Sequence, residues 1–261
     1  MRIEFRPVML ALAAIALAAC APEVETPLGA APGADRVAAA VASASRPEKD
    51  RADDAMRKPA AVLSFIGIEP GMTVFEVEAG RGYYTELYAP LARPEGVIIM
   101  QNPASFDSFL ANPVAKRLAD NRLPNVRLSK SPFDALDADD GSVDIATWLL
   151  GPHDLYYTPP DGVDSGDPET AFAEVFRILK PGGLFVILDH AALPGAPSTT
   201  GGTLHRIDPA IVKGLAAGAG FLLIEENDVL RNPDDDYTMS VFDPAIRRRT
   251  DRFLLKYKKP E

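Results

Sequence analysis

The chain has 261 residues, 47% of them hydrophobic, and a formal net charge of −10. That is enough apolar material for one sizeable core and too much for a disordered chain. The acidic balance argues against nucleic-acid binding, which needs a basic face to neutralise phosphates; the one dense basic run, Arg247-Arg248-Arg249, stands near Asp243 and Asp251 and reads as a solvated face.

Residues 1–19 have the composition of a leader. Arg2 and Arg6 precede an apolar run from Val8 to Ala19, the length of a signal core and well short of the roughly 20 residues a permanent bilayer span needs. The run ends Leu17-Ala18-Ala19-Cys20, which resembles the lipobox of bacterial lipoproteins. Cys20 is the only cysteine, so no intramolecular disulfide and no cysteine metal site compete for it. The resemblance implies lipidation of Cys20 and export to the periplasmic side of the envelope, with Ala21 permitting sorting to an outer membrane. An ordinary cleaved signal with an incidental cysteine is the alternative. An acidic body cannot grip anionic lipid, so acyl chains would do the anchoring. Residues 20–45 then read as the lipidated Cys and a tether of Ala, Pro and Gly that cannot bury enough surface to fold, and the folded domain is expected over 46–261.

Ordered sequence begins with the charged stretch Arg46 to Lys58, followed by Ala60 to Ile66, with Pro59 as a break. Beyond Gly71, β-rich runs alternate with helical ones, the pattern of a parallel sheet with crossover helices. The expected strands are Thr73 to Glu78, Val97 to Gln101, Val126 to Ser129, Val143 to Leu149, Leu184 to Asp189, Phe221 to Asn227 and Arg252 to Tyr257. The expected helices are Tyr83 to Ala92, Phe106 to Asp120, Pro168 to Leu179 and Pro209 to Ala219. The last two begin Asp167-Pro168 and Asp208-Pro209, where the Asp oxygen caps free N–H groups and Pro presets the first helical φ.

The run "MTVFEVEAGRGYYTE" is a strand, then Gly80-x-Gly82, then a helix. This geometry lets a ligand approach bare backbone N–H groups. Thr85 stands where a dinucleotide fingerprint needs its third glycine, which disfavours NAD. Read with "RILKPGGLFVILDH", the loop resembles the class I S-adenosylmethionine-dependent methyltransferases, and "FIGIEPGMTV", "GYYTE", "HDLYY" and "LHRID" are similar to a subgroup of predicted methyltransferases. The resemblance implies an α/β, Rossmann-like fold, a seven-stranded mostly parallel sheet with its last strand antiparallel and helices on both faces. It implies S-adenosylmethionine as cofactor, with Glu76, Gly80 and Gly82 around its methionine part and Glu76 near the ammonium. Glu78 and Ala79 complete the loop, and Tyr84 follows it. Gln101 and Asn102 stand where the family carries a ribose-holding acid; an amide can accept a hydroxyl hydrogen bond, without charge assistance. Glu78 departs from the pattern by replacing the usual first glycine.

The three histidines, His153, His190 and His205, all fall in loops at the carboxyl end of the expected sheet, where ligands bind in doubly wound folds. Each has an acid near it in sequence: Asp154, Asp189 and Asp208. One reading makes His153 or His190 the proton acceptor during methyl transfer, with a carboxylate such as Asp154 orienting the ring. A second makes them loop residues bonded to backbone. A third is a metal, which suits imidazoles with carboxylates, although the spacings match no ligand motif. Trp148, Tyr83 and Tyr84 read as core or as stacking partners for an adenine. The Pro-, Gly- and Asp-rich loop Gly151 to Gly166 is long enough to cover a substrate. Two functions follow. One is a lipid-anchored methyltransferase acting on a small or envelope-associated acceptor; the other is a periplasmic ligand- or metal-binding protein on the same fold.

Overall fold

The computed structural model describes Met1, residues 32–157 and residues 166–261. The expected leader, Cys20, and positions 158–165 of the Gly151–Gly166 loop lie outside the described residues. Residues Ala31–Glu261 make one compact unit, built on a sheet of β1 (Thr73–Val77), β2 (Val97–Gln101), β3 (Val126–Ser129), β4 (Val143–Leu149), β5 (Leu179–His190), β6 (Leu222–Asn227) and β7 (Arg252–Lys258). The strand order is β3-β2-β1-β4-β5-β7-β6. All pairs are parallel except those of β7, which runs antiparallel to both β5 and β6. Chain order reverses between β1 and β4, so the crevice of a doubly wound sheet opens at the carboxyl ends of these two strands.

Helices cover both faces. On one lie α1 (Pro32–Ala42), α3 (Pro59–Ile66) and α4 (Tyr83–Ala92), burying Val37, Leu63 and Leu87 against Val74, Ile145 and Leu254. On the other lie α5 (Asp107–Leu118), α6 (Pro168–Ile178) and α8 (Pro209–Gly218), burying Leu110, Phe172 and Val212 against Phe75, Trp148 and Phe185. The central strands read as unbroken apolar runs because both of their faces are covered. Helix α2 (Glu48–Arg57) and the short α7 (Thr200–Leu204) lie outside this layering. Among the described residues, no helix is long and apolar enough to cross a membrane.

The expected caps form: Asp167 accepts from Thr170 N and Asp208 from Ala210 N, both at 2.8 Å. Most boundaries fall within two residues of those expected, and two differ by more. Strand β5 starts at Leu179, ahead of the expected Leu184, because Leu179 already pairs with Val143 and residues 180–183 bulge before pairing resumes at Ile145↔Leu184. The larger correction is at the amino end. Residues 32–42, expected within the tether, form α1, with Val37 and Ala40 buried and Arg36 bonded to Glu69 at 3.1 Å. Alanine counts as low complexity in a composition argument, yet it is the best helix former, and Val37, Ala40 and Val41 fall on one helical face.

Between β6 and β7 the chain makes a long connection without regular elements, held by buried charge. Arg206, fully buried, grips Asp235 with two bonds of 2.8 and 3.1 Å and also donates to Met239 O and Ala191 O. Asp251 accepts from Arg231, Asn232 N and Tyr237. This clasp carries Phe242, Arg247 and Arg248 to the crevice.

Candidate active site

The crevice is a cleft of about 700 Å³, within the usual range for small-molecule sites. Its floor is the loop Glu76–Gly82 that follows β1. Its walls are the 3₁₀ turn Pro152–Tyr156 after β4, His190 at the end of β5, and His205 just after α7. Residues of α2 and of the β6–β7 connection close the rim.

The loop explains its own sequence. Glu78, Gly80 and Gly82 all take positive φ, at 51°, 57° and 79°, so the glycine usual at position 78 is favoured by backbone geometry. Glu78 is held there by Gln101 Oε1, which accepts its N–H at 2.8 Å. A Cβ on Gly80 would meet nothing within 4 Å, leaving the cleft open above it. Glu76 is buried and accepts from Thr85 Oγ1 in the first turn of α4. Burial pushes its carboxyl up to about 8, against the lowering influence of Thr85 and Arg117.

Gln101 and Asn102 do not stand ready for a ribose. Besides Glu78 N, Gln101 serves Ser131 O through Nε2 at 2.6 Å; Asn102 accepts from Gly80 N at 2.8 Å and donates to Gly80 O at 3.0 Å. Both are buried, and both amides brace the loop from below. Ala79 continues that brace by donating its N–H to Gln101 O. Tyr83 and Tyr84 meet edge-on at 4.9 Å, Tyr84 stacks on Tyr88, and all three are buried; Tyr83 and Tyr84 also line the cleft. Trp148 is core, between Phe133 and Phe172, with its indole N–H donating to Glu78 Oε2 at 2.9 Å.

The three histidines do converge. The ring centre of His153 lies 5.9 Å from that of His190 and 5.3 Å from that of His205. Their carboxylate partners, however, differ from their sequence neighbours. Fully buried Asp189 receives His153 Nδ1 at 2.7 Å and His153 N at 2.9 Å, offering His190 only a backbone contact. Asp154 lies beside His205, Oδ1 to Nδ1 3.2 Å, and 3.5 Å from His153 Nε2. Asp208 is spent on capping α8 and on Gly195 N. His190 instead pairs Nδ1 with Thr250 Oγ1 at 2.6 Å. Asp189 and His190 are adjacent in an extended strand and so point to opposite sides, whereas Asp154, in the 3₁₀ turn, does stay near His153.

Charges in the cleft are strongly displaced. Burial raises Glu78 well above the usual carboxyl range, and the neighbouring Asp154 raises it further, which favours the protonated form. Burial would also raise Asp154, but His205, His153 and Glu78 together hold it low. His153 is desolvated, which lowers it, yet Asp189 and Asp154 outweigh this and raise it. His190 is driven well below its ordinary value, first by burial and then by the charges of His153 and Arg252.

Several cleft residues went unseen in the sequence. Arg252, at the start of β7 and opposite His190 in the ladder, is only 6% exposed. It donates to Met56 O, has no carboxylate in ion-pair range among the described residues, and keeps a buried, unbonded Nε. Arg248 is exposed, as expected of a solvated face, yet it stands at the cleft and pairs with Asp53 at 3.0 Å. No motif marks either, because both arrive through the β6–β7 connection.

Comparison with known proteins agrees with this architecture. A methyltransferase-domain family model matches residues 76–187. Over 136 residues the chain is 25% identical to the ubiquinone/menaquinone biosynthesis C-methyltransferase UbiE of Ectopseudomonas mendocina (strain ymp), covering 52% of this chain and 48% of that protein. The chain thus spans about half the length of that curated relative. Among solved structures, a SAM-dependent methyltransferase from Aquifex aeolicus aligns with a TM-score of 0.56 at 17% identity, over 79% of this chain and 97% of that one. The [4+2]-cyclase SpnF aligns with a TM-score of 0.59 at 16% identity, over 84% of each chain. Residues 76–187 are similar to the methyltransferase-domain family, and the chain has the Rossmann-like fold of class I methyltransferases.

Proposed function

We propose that this chain is an S-adenosylmethionine-dependent methyltransferase, exported and lipid-anchored through Cys20 on the periplasmic side of the envelope, with a small or envelope-associated acceptor. The observation that carries the reading is the buried Glu76 beneath an open glycine loop at the point where strand order reverses. Cleft volume, Glu76, Gly80 and Gly82 fit the methionine end of the cofactor. The amides of Gln101 and Asn102, already bonded to the loop, do not fit a direct ribose role.

When bound, S-adenosylmethionine supplies an activated methyl group on a sulfonium, so the protein's share is positioning and the removal of one proton. His190 suits the second task. Burial and the neighbouring positive charges favour its neutral ring, and with Nδ1 donating to Thr250 Oγ1 its Nε2 is left as the acceptor. Arg252, desolvated and without a carboxylate, keeps positive charge beside that ring and disfavours its protonation before an acceptor arrives.

Calorimetry of Ala31–Glu261 with S-adenosylmethionine and S-adenosylhomocysteine tests the cofactor; binding in the micromolar range is expected, and none at millimolar ligand would sink the reading. SpnF, a cyclase by name, marks the fold's capacity for other chemistry. The anchor is tested separately: Cys20→Ser should move the protein from the membrane to the soluble fraction.

A further inference from the structure

We propose that His153 Nε2, Asp154 Oδ1 and His205 Nδ1 form a binding site for a divalent first-row transition metal, such as Zn²⁺, facing the cleft. The three atoms lie within 4.8 Å of one another. Ligands held about 2.0–2.2 Å from one ion at tetrahedral or octahedral angles stand roughly 2.9–3.6 Å apart. The two carboxylate–imidazole separations, 3.2 and 3.5 Å, already fall in that range.

Three further observations point the same way. First, Asp154 Oδ1 is buried, and neither imidazole nitrogen beside it, at 3.2 and 3.5 Å, meets it with the geometry of an ordinary hydrogen bond. A buried acceptor without a donor is costly, and a cation between the three groups removes the deficit. Second, Asp189 takes the Nδ1 of His153 at 2.7 Å and is itself fixed by two backbone N–H groups. That leaves Nε2 turned toward Asp154, in the carboxylate–histidine arrangement that orients metal-binding imidazoles. Third, the two halves of the site are brought together by glycine. A Cβ on Gly201 would overlap His153 O, and one on Gly202 would stand 2.6 Å from Tyr156 O. Only glycines let α7 dock so closely on the 3₁₀ turn, and that docking carries His205, in a left-handed conformation at φ 52°, to Asp154. The rings of Tyr157 and Phe242, at 5.2 and 4.7 Å, hold the imidazole from the other sides.

Two imidazoles and one carboxylate suit Zn²⁺, Fe²⁺ or Mn²⁺ better than the all-oxygen shells of Mg²⁺ and Ca²⁺. Such a set leaves coordination positions open toward the cleft, beside the Glu78 carboxyl. An acceptor oxygen bound there would be polarised and held in place; this role rests on the methyl-transfer reading, whereas metal binding itself does not.

The test uses the full-length chain, free of any histidine tag and stripped with chelator, titrated with Co²⁺ under visible absorption and then with Zn²⁺. One equivalent of cobalt should bind, with d–d bands that zinc abolishes. His205→Ala and Asp154→Asn should each weaken cobalt binding roughly 100-fold or more, and Asp189→Asn, which leaves all three ligands in place, by about 10- to 100-fold. Circular dichroism identifies any variant that fails to fold, and Asp189→Asn remains informative if another is lost. No cobalt binding at millimolar metal, or equal binding in wild type and the folded variants, would overturn the proposal. A protein that binds S-adenosylmethionine but no cobalt loses the metal site and keeps the methyltransferase reading. One that binds cobalt but no S-adenosylmethionine does the reverse.

Discussion

Glu76 is the residue whose ionisation has the clearest consequences. Raised from 4.5 to about 8 by burial, it keeps its proton in the native chain across a range where the unfolded chain has lost it. The native state then binds more protons than the unfolded one between about pH 4.5 and 8, so this group's contribution to stability is full below 4.5 and is lost as pH rises through that window, by roughly 1.4 kcal/mol per unit. Glu76→Gln cannot ionise, and its stability relative to wild type should therefore climb from pH 5 to 8 in thermal denaturation. A difference that does not change with pH would mean that Glu76 is charged in the native state. An ammonium group placed beside Glu76 would favour its carboxylate form, so binding of S-adenosylmethionine at pH 7 should release close to one proton, read as a dependence of the calorimetric enthalpy on buffer ionisation. At this scale the sequence located the histidines at one end of the sheet but paired Asp189 and Asp208 with the wrong ones. The three histidines were placed correctly from strand ends alone, while the pairing of Asp189 with His153 depends on which way each side chain leaves its strand or turn.

Among the elements, the sheet was the most legible part, because runs such as "TVFEV" and "VDIATWL" must be buried on both faces and little else in the chain competes with them. Where expectation and structure part, tertiary contact decides. Leu179 joins β5 because Val143 is there to pair with it, and α1 forms because α3 and α4 offer an apolar surface for Val37 and Ala40. The β6–β7 connection had no periodicity to read. Its order comes from Arg206 and Asp235, both fully desolvated. Removing one member of such a pair strands the other charge, so Asp235→Ala should cost about 3–5 kcal/mol in urea denaturation. Substituting Arg206 and Asp235 together with apolar residues of similar volume should cost much less. Equal losses in the single and double variants would show that the clasp acts through its backbone bonds instead.

For the molecule as a whole, the folded part starts earlier than composition suggests. A chain beginning at Arg46 gives up α1, re-exposes the apolar surface of α3 and α4, and loses the Arg36–Glu69 contact. It should melt lower than a chain beginning at Ala31, by roughly 2–4 kcal/mol on the scale of one or two buried aliphatic side chains. The cleft, meanwhile, gathers Arg57, Arg247, Arg248 and Arg252 in a protein whose net charge is −10. This contrast was invisible to a summed charge, which averages over the surface. The chain also has a single tryptophan, and it is the one whose indole N–H is bonded to Glu78 at the edge of the cleft. All indole emission therefore comes from one buried ring bonded to a carboxyl that lines the cleft. Occupancy should be readable as a change in intrinsic fluorescence, with no label attached, and Glu78→Gln should blunt the signal without moving the ring.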